Sequence, residues 1–129
     1  MVVDNISNLI TSLKNASTAG KDYLNVPATK MSIAILNVLK ENNFISDFSK
    51  KDKEAKTIKV VLQYEDGVAA ITDVKRISKN SRRVYKSNKE IKNVKRGYGM
   101  AVLSTPNGVM SGLTAKEQKV GGELLFEIW

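Results

Sequence analysis

This 129-residue chain has few side chains suited to catalysis: it contains neither Cys nor His. Their absence removes thiol nucleophiles, Ser-His and Cys-His pairs, imidazole bases and nearly every structural zinc site. Carboxylates remain. Glu65-Asp66, and Asp47 with Asp52, have the chemistry to hold a hard cation or to divide acid and base roles. They fall in expected turns beside lysines, and no third acid recurs at ligand spacing, so solvated turns are the expectation. Gly97-Tyr98-Gly99 and Gly121-Gly122 suggest a phosphate loop, yet neither continues into Lys-Ser/Thr or has a strand-Gly-helix context. These glycines are expected to provide positive φ and tight turns beside strands, or a close approach of the backbone to a ligand. No metal, no other cofactor and no catalysis are expected.

Charge is the positive signal. The chain has 21 Lys and Arg against 13 Asp and Glu, a net +8. From Lys75 to Arg96 there are ten basic residues and a single acid, Glu90, so this stretch carries +9 and the remainder −1. Such concentration favours a polyanion, nucleic acid above all, over a small acidic substrate. Ile77, Val84, Tyr85, Ile91 and Val94 interleave the charges, which a disordered arm would not need. With 17 Lys and four Arg, the expected contacts are mainly point-charge contacts to phosphates. Tyr85 and Tyr98 flank the run and can stack on a base or pack at the rim of a core. Ser104, Thr105 and Asn107 bring hydroxyl and amide groups into one segment. They can meet phosphates, 2′-hydroxyls and base edges, or cap the backbone of their own turn.

The elements that position these groups follow from periodicity. Ile6, Leu9, Ile10, Leu13 and Ala16 form one stripe of a helix over 5–19, with Asp4 as its cap and Gly20 as its stop. A strand is expected at 23–26, ahead of Pro27. A second helix spans 30–42, capped by Thr29, with Met31, Ala34, Ile35, Val38 and Leu39 on one face. Strands at 44–48 and 57–64, joined by the charged turn 50–56, complete an α-β-α-β-β lobe. Glu65-Asp66-Gly67 breaks the pattern. The second lobe is expected to hold the basic stretch, a strand at 100–103, a turn over 104–108, a short helix at 114–119 and a strand at 124–129. The fold class is therefore α+β, two small lobes sharing an interface: 1–66, α/β, and 67–129, mostly β with a short helix. At 42% hydrophobic residues the composition supplies a core without disulfides. The lack of Cys fits a reducing cytosol. With no secretory signal and no apolar run long enough for a membrane span, a soluble, cytoplasmic protein is expected.

Several of these segments resemble one family. Ser104-Thr105, Gly108-Val109-Met110, Val120-Gly121-Gly122-Glu123 and Trp129 look like the carboxyl end of bacterial small-subunit ribosomal protein eight. Leu13-Lys14-Asn15-Ala16, Val26-Pro27 with Lys30, Phe44-Ile45, Arg76-Ile77-Ser78 and Arg83-Val84-Tyr85 follow in that family's order and spacing, so the likeness covers the whole chain. It implies a compact α/β amino half, a mostly β carboxyl half, and a primary binder of the central domain of small-subunit ribosomal RNA that supports subunit assembly. The RNA contacts it implies are Ser104, Thr105, Tyr85, Gly121, Gly122 and Glu123, with Arg83 and Lys86 from the basic stretch and Lys30 from the amino lobe. Glu123 would accept hydrogen bonds from exocyclic amines or position a basic neighbour. Two departures stand out: Pro106 replaces a second hydroxyl after Ser-Thr, and Asn80-Ser81 replaces the usual Pro-Gly.

The implied function is a structural constituent of the small ribosomal subunit, located in cytoplasmic ribosomes. Its partners would be small-subunit ribosomal RNA and neighbouring small-subunit proteins, with no membrane. The alternatives are an RNA-binding translational repressor acting on messenger RNA and a metal-dependent nuclease using the turn carboxylates.

Overall fold

The computed structural model describes residues 5–50, 54–79, 81–94 and 98–129. The expectations placed on Asp4, Asp52, Asn80, Lys95, Arg96 and Gly97 lie outside the described residues.

The chain folds as α+β in two compact units that divide between Thr72 and Asp73. In the first, helices α1 (Asn5–Thr18) and α2 (Lys30–Glu41) alternate with strands β1 (Tyr23–Pro27), β2 (Ile45–Lys50) and β3 (Thr57–Leu62). The three strands form an antiparallel sheet in the order β1-β3-β2. Its registry follows from alternation: Ile58, Val60 and Leu62 of β3 are buried while Thr57 and Lys59 are exposed, so one face points to the core. The helical stripes cover that face. Leu13, Ile35, Leu36 and Leu39 are fully buried, each contributing about 1.5–3 kcal/mol. Thr29 caps α2 as expected, its Oγ1 accepting from Ser32 N at 3.0 Å. Such a cap contributes about 1 kcal/mol, so the stripe, more than the cap, holds the helix in place.

The breakers at 65–67 have a different role from the one expected. Tyr64–Glu65 (β4) and Val68–Ala69 (β5) pair as a small hairpin, and Asp66 and Gly67 take φ of 53° and 80°. Two successive left-handed residues are what a tight hairpin turn requires. The segment expected to separate the lobes at 66/67 is thus a turn within the first unit, and the division lies six residues later.

The second unit is built around β10 (Gly122–Ile128). On one side it pairs antiparallel with β8 (Met100–Thr105), which pairs in turn with β9 (Gly108–Ser111). Along its other side run β6 (Val74–Arg76) and then β7 (Tyr85–Lys86). Helix α3 (Gly112–Gln118) is capped by the Ser111 hydroxyl, which accepts from Thr114 N at 3.2 Å, and it ends at Lys119 in the left-handed conformation. Ile91, Val94, Ala101, Leu103, Met110 and Ala115 form a buried cluster bordered by Val120, Leu124 and Trp129. Three expectations shift here. Residues 104 and 105 extend β8 rather than forming a turn, β10 begins at Gly122 rather than Leu124, and β6, β7 and β9 were not foreseen. Among the described residues, no helix is long and apolar enough to cross a membrane.

Candidate nucleic-acid interface

Strand register brings the expected contact residues of the second unit together. Glu123 faces Tyr85 across the β7–β10 pair and Ser104 across the β10–β8 pair, and Ser104 faces Val109. Directly opposed residues in an antiparallel sheet share a face, so Tyr85, Glu123, Ser104 and Val109 form one row. The adjoining pairs are Lys86 with Gly122 and Thr105 with Gly108. Tyr85 stands 68% exposed and Tyr98 87%, which places both rings in solvent rather than in a core. Lys30 is exposed at the start of α2, in the first unit, so the row does not include it.

Each polar member of the row has a distinct status. Thr105 Oγ1 donates to Gly108 O at 2.8 Å and accepts from Asn107 N at 3.2 Å, so this hydroxyl serves its own turn. The Asn107 amide reaches Gln118 Oε1 at 3.4 Å. Pro106 and Asn107 are the two linking residues of the β8–β9 hairpin, and the missing amide hydrogen of Pro106 removes no ladder bond there. Ser104 Oγ is half-buried and has no hydrogen-bond partner among the described residues, leaving it available to a ligand.

The glycines are needed for space. Gly99, Gly121 and Gly122 do not have positive φ, contrary to expectation. A Cβ on Gly121 would press into Lys86 O and lie 2.8 Å from Ser87 Cα, and one on Gly122 would press into Ser104 O and lie 2.9 Å from Ser104 C. Strands β7 and β8 therefore approach β10 as closely as they do only because neither residue has a side chain.

Glu123 is occupied within the protein. Its Oε2 accepts from the Ser78 hydroxyl and, at 3.0 Å, from Arg83 Nη1. Burial pushes this carboxyl up, but the Ser78 and Arg83 hydrogen bonds and the charges of Arg83 and Arg76 together hold it below its ordinary value. Of the two roles expected for Glu123, holding a basic neighbour is the one in place. Ser78, fully buried, belongs to the Arg76-Ile77-Ser78 motif but is not among the expected site residues. Its signal was a serine in the densest charge of the chain, followed by a break in the strand pattern. Across the basic stretch, Lys75, Lys79, Arg82, Arg83, Lys89 and Lys92 are exposed while Ile91 and Val94 are buried. The apolar residues anchor a surface that carries the charge.

Asp47 pairs with Lys40 at 3.0 Å and accepts from Phe48 N, while Glu65 and Asp66 lie at the β4–β5 turn. No group of three or more metal-ligating side chains occurs among the described residues.

Comparison with known proteins matches residues 4–129 to the ribosomal protein S8 family. The chain belongs to that family. It is similar to the small ribosomal subunit protein uS8 of Helicobacter acinonychis and of Helicobacter pylori, 44% identical to each over 131 residues. It is also 41% identical over 129 residues to the uS8 of Oleidesulfovibrio alaskensis. All of this chain and all of each relative are covered. The family is one of structural ribosomal proteins, and membership in it identifies the chain as a non-enzyme. It also bears out the resemblance read from Ser104-Thr105 and Val120-Gly121-Gly122-Glu123.

Proposed function

We propose that this chain is a structural constituent of the small ribosomal subunit. In this reading it binds the central domain of small-subunit ribosomal RNA and supports subunit assembly in cytoplasmic ribosomes beside neighbouring small-subunit proteins. Tyr85, Arg83, Lys86, Ser104, Thr105, Gly121, Gly122 and Glu123 form the binding surface, and Lys30 adds a contact from the amino lobe. The observation that carries this reading is the row of Tyr85, Glu123 and Ser104, beside a loop rich in Lys and Arg. An exposed ring and a hydroxyl without a partner among the described residues suit unstacked bases and 2′-hydroxyls, whereas the exposed cations suit phosphates. Such a protein acts by binding energy: it favours one geometry of an irregular RNA helix over the others.

Ribonuclease footprinting on total ribosomal RNA tests the proposal. The expected result is protection of one helical site in the central domain of the small-subunit RNA at stoichiometric protein. Protection scattered over both subunit RNAs would reduce the reading to nonspecific attraction by charge.

A further inference from the structure

Strands β6 and β7 follow one edge of β10 as a single interrupted strand. Leu124 marks both sides of the interruption: its carbonyl accepts from Ser78 N at 3.1 Å, and its N–H donates to Val84 O at 2.9 Å. Between these anchors the chain leaves the sheet, and Lys79 and Arg82 exchange backbone hydrogen bonds of 2.9 and 3.0 Å. The excursion carries three cations, Lys79, Arg82 and Arg83, all exposed, beside Arg76. Like charges this close repel one another, so their arrangement needs an internal counterion.

Glu123 supplies it. Its side chain is 16% exposed, against 47% for Arg83. The carboxylate is fixed by the buried Ser78 hydroxyl, which also accepts from Val84 N at 3.2 Å. The Ser78 carbonyl is bonded by Arg76 Nε. A guanidinium is a rigid plane, so fixing Nη1 on Glu123 orients the whole group. We propose that Ser78 and Glu123 are positioning residues that hold Arg83 as a preset phosphate-binding group. Their contribution to RNA affinity passes through Arg83. This inference rests on the RNA-binding reading above and adds to it a residue and a division of labour.

The charge on Glu123 makes the test sharp. An acid merely lying at an RNA surface weakens binding, so Glu123→Gln would then tighten it. A positioning acid gives the opposite sign. Full-length protein, as parent and as Glu123→Gln, Ser78→Ala and Arg83→Met variants, is measured against transcribed small-subunit ribosomal RNA by filter binding across a salt series. Glu123→Gln is expected to weaken binding about tenfold, the equivalent of one charge-assisted contact. It should also flatten the log-log salt slope by about 0.9, the value for one phosphate on a duplex. Arg83→Met should do the same, and the double variant should be no worse than Arg83→Met alone. Should Ser78→Ala fail to fold, the Glu123 and Arg83 cycle decides the matter by itself.

Glu123→Gln binding as tightly as the parent or tighter overturns the proposal. So does a variant that melts earlier yet keeps the parent's salt slope, because that is the signature of structural support alone. A parent protein that shows no preference for small-subunit RNA removes the RNA-binding reading and this inference with it. A selective parent with an unaffected Glu123→Gln variant removes only the inference.

Discussion

Ser104 and Thr105 are neighbours with the same functional group, yet their hydroxyls face different demands. Thr105 Oγ1 is taken up by Gly108 O and Asn107 N, whereas Ser104 faces Glu123 in the row that ends at the exposed Tyr85. Ser104→Ala should therefore change stability by less than about 0.5 kcal/mol while reducing binding to cognate RNA relative to unrelated RNA. Thr105→Ala should cost about 1 kcal/mol through the turn it unties. Thermal unfolding beside filter binding separates the two, and equal losses of stability would contradict the assignment. The sequence alone left both hydroxyls open between ligand and turn, because only the strand register decides which of them is used up. Glu123 gives a second residue-scale expectation. Its folded-state affinity for a proton is lowered from the ordinary value of 4.5 despite burial, so the folded state binds that proton less readily than the unfolded chain. The stabilisation is fully present above about pH 4.5 and is lost as pH falls through the lowered folded value. The stability difference between parent and Glu123→Gln should stay constant near neutrality and shrink in acid below pH 4.5, measured by urea unfolding at each pH. A difference that grows on acidification would reverse the sign.

At the scale of elements, closeness of strands is the controlling feature. Gly122→Ala would drive a methyl group into the Ser104 carbonyl, and β8 and β10 have to separate to admit it. Overpacking of this kind costs about 1–3 kcal/mol. Gly20, at φ 71° with open space around it, offers a contrast: alanine there meets only backbone strain, about 1 kcal/mol. Gly122→Ala should in addition weaken RNA binding by moving Ser104 away from Tyr85, whereas Gly20→Ala should leave binding intact, as checked by unfolding and filter binding together. The elements that were legible beforehand share a physical cause. Helices α1 and α2 and strand β3 bury one face each, so their apolar residues repeat at the period of the element. Strands β6 and β7 are short and lie in the most highly charged stretch of the chain, where their pairing with β10 leaves no periodic trace. The β8–β9 hairpin looks like a loop in the sequence for a related reason: Ser104, Thr105, Pro106, Asn107 and Gly108 are turn-forming types, and three of them are strand residues only because Ser104 pairs with Val109 and Thr105 with Gly108.

For the molecule as a whole, the net +8 predicts the form of the binding curve. Six phosphate contacts would release enough counterions to lower affinity on the order of a thousandfold between roughly 50 and 200 mM salt. A flat profile in a filter assay would show that the Lys75 to Arg96 stretch does not provide the attraction. Charge and the two-lobe organisation were readable from composition and pattern, because both are sums over many residues. The division point was not, since Glu65-Asp66-Gly67 has the same turn chemistry in a hairpin as in a linker. The order in which the sheet of the second unit is supplied has a further effect during synthesis. Ser78 and Glu123 are 45 positions apart, and β6, β7 and β8 all depend on β10, which follows them in the chain. A polypeptide emerging amino end first can close its α/β lobe early, since domains fold as units during translation. The basic excursion, Tyr85 and Ser104 must wait, unaligned, for residues 122–128. The nascent chain thus carries its positive charge before it has the geometry to use it selectively, and on the proposed function discrimination among RNAs would begin only with the arrival of β10.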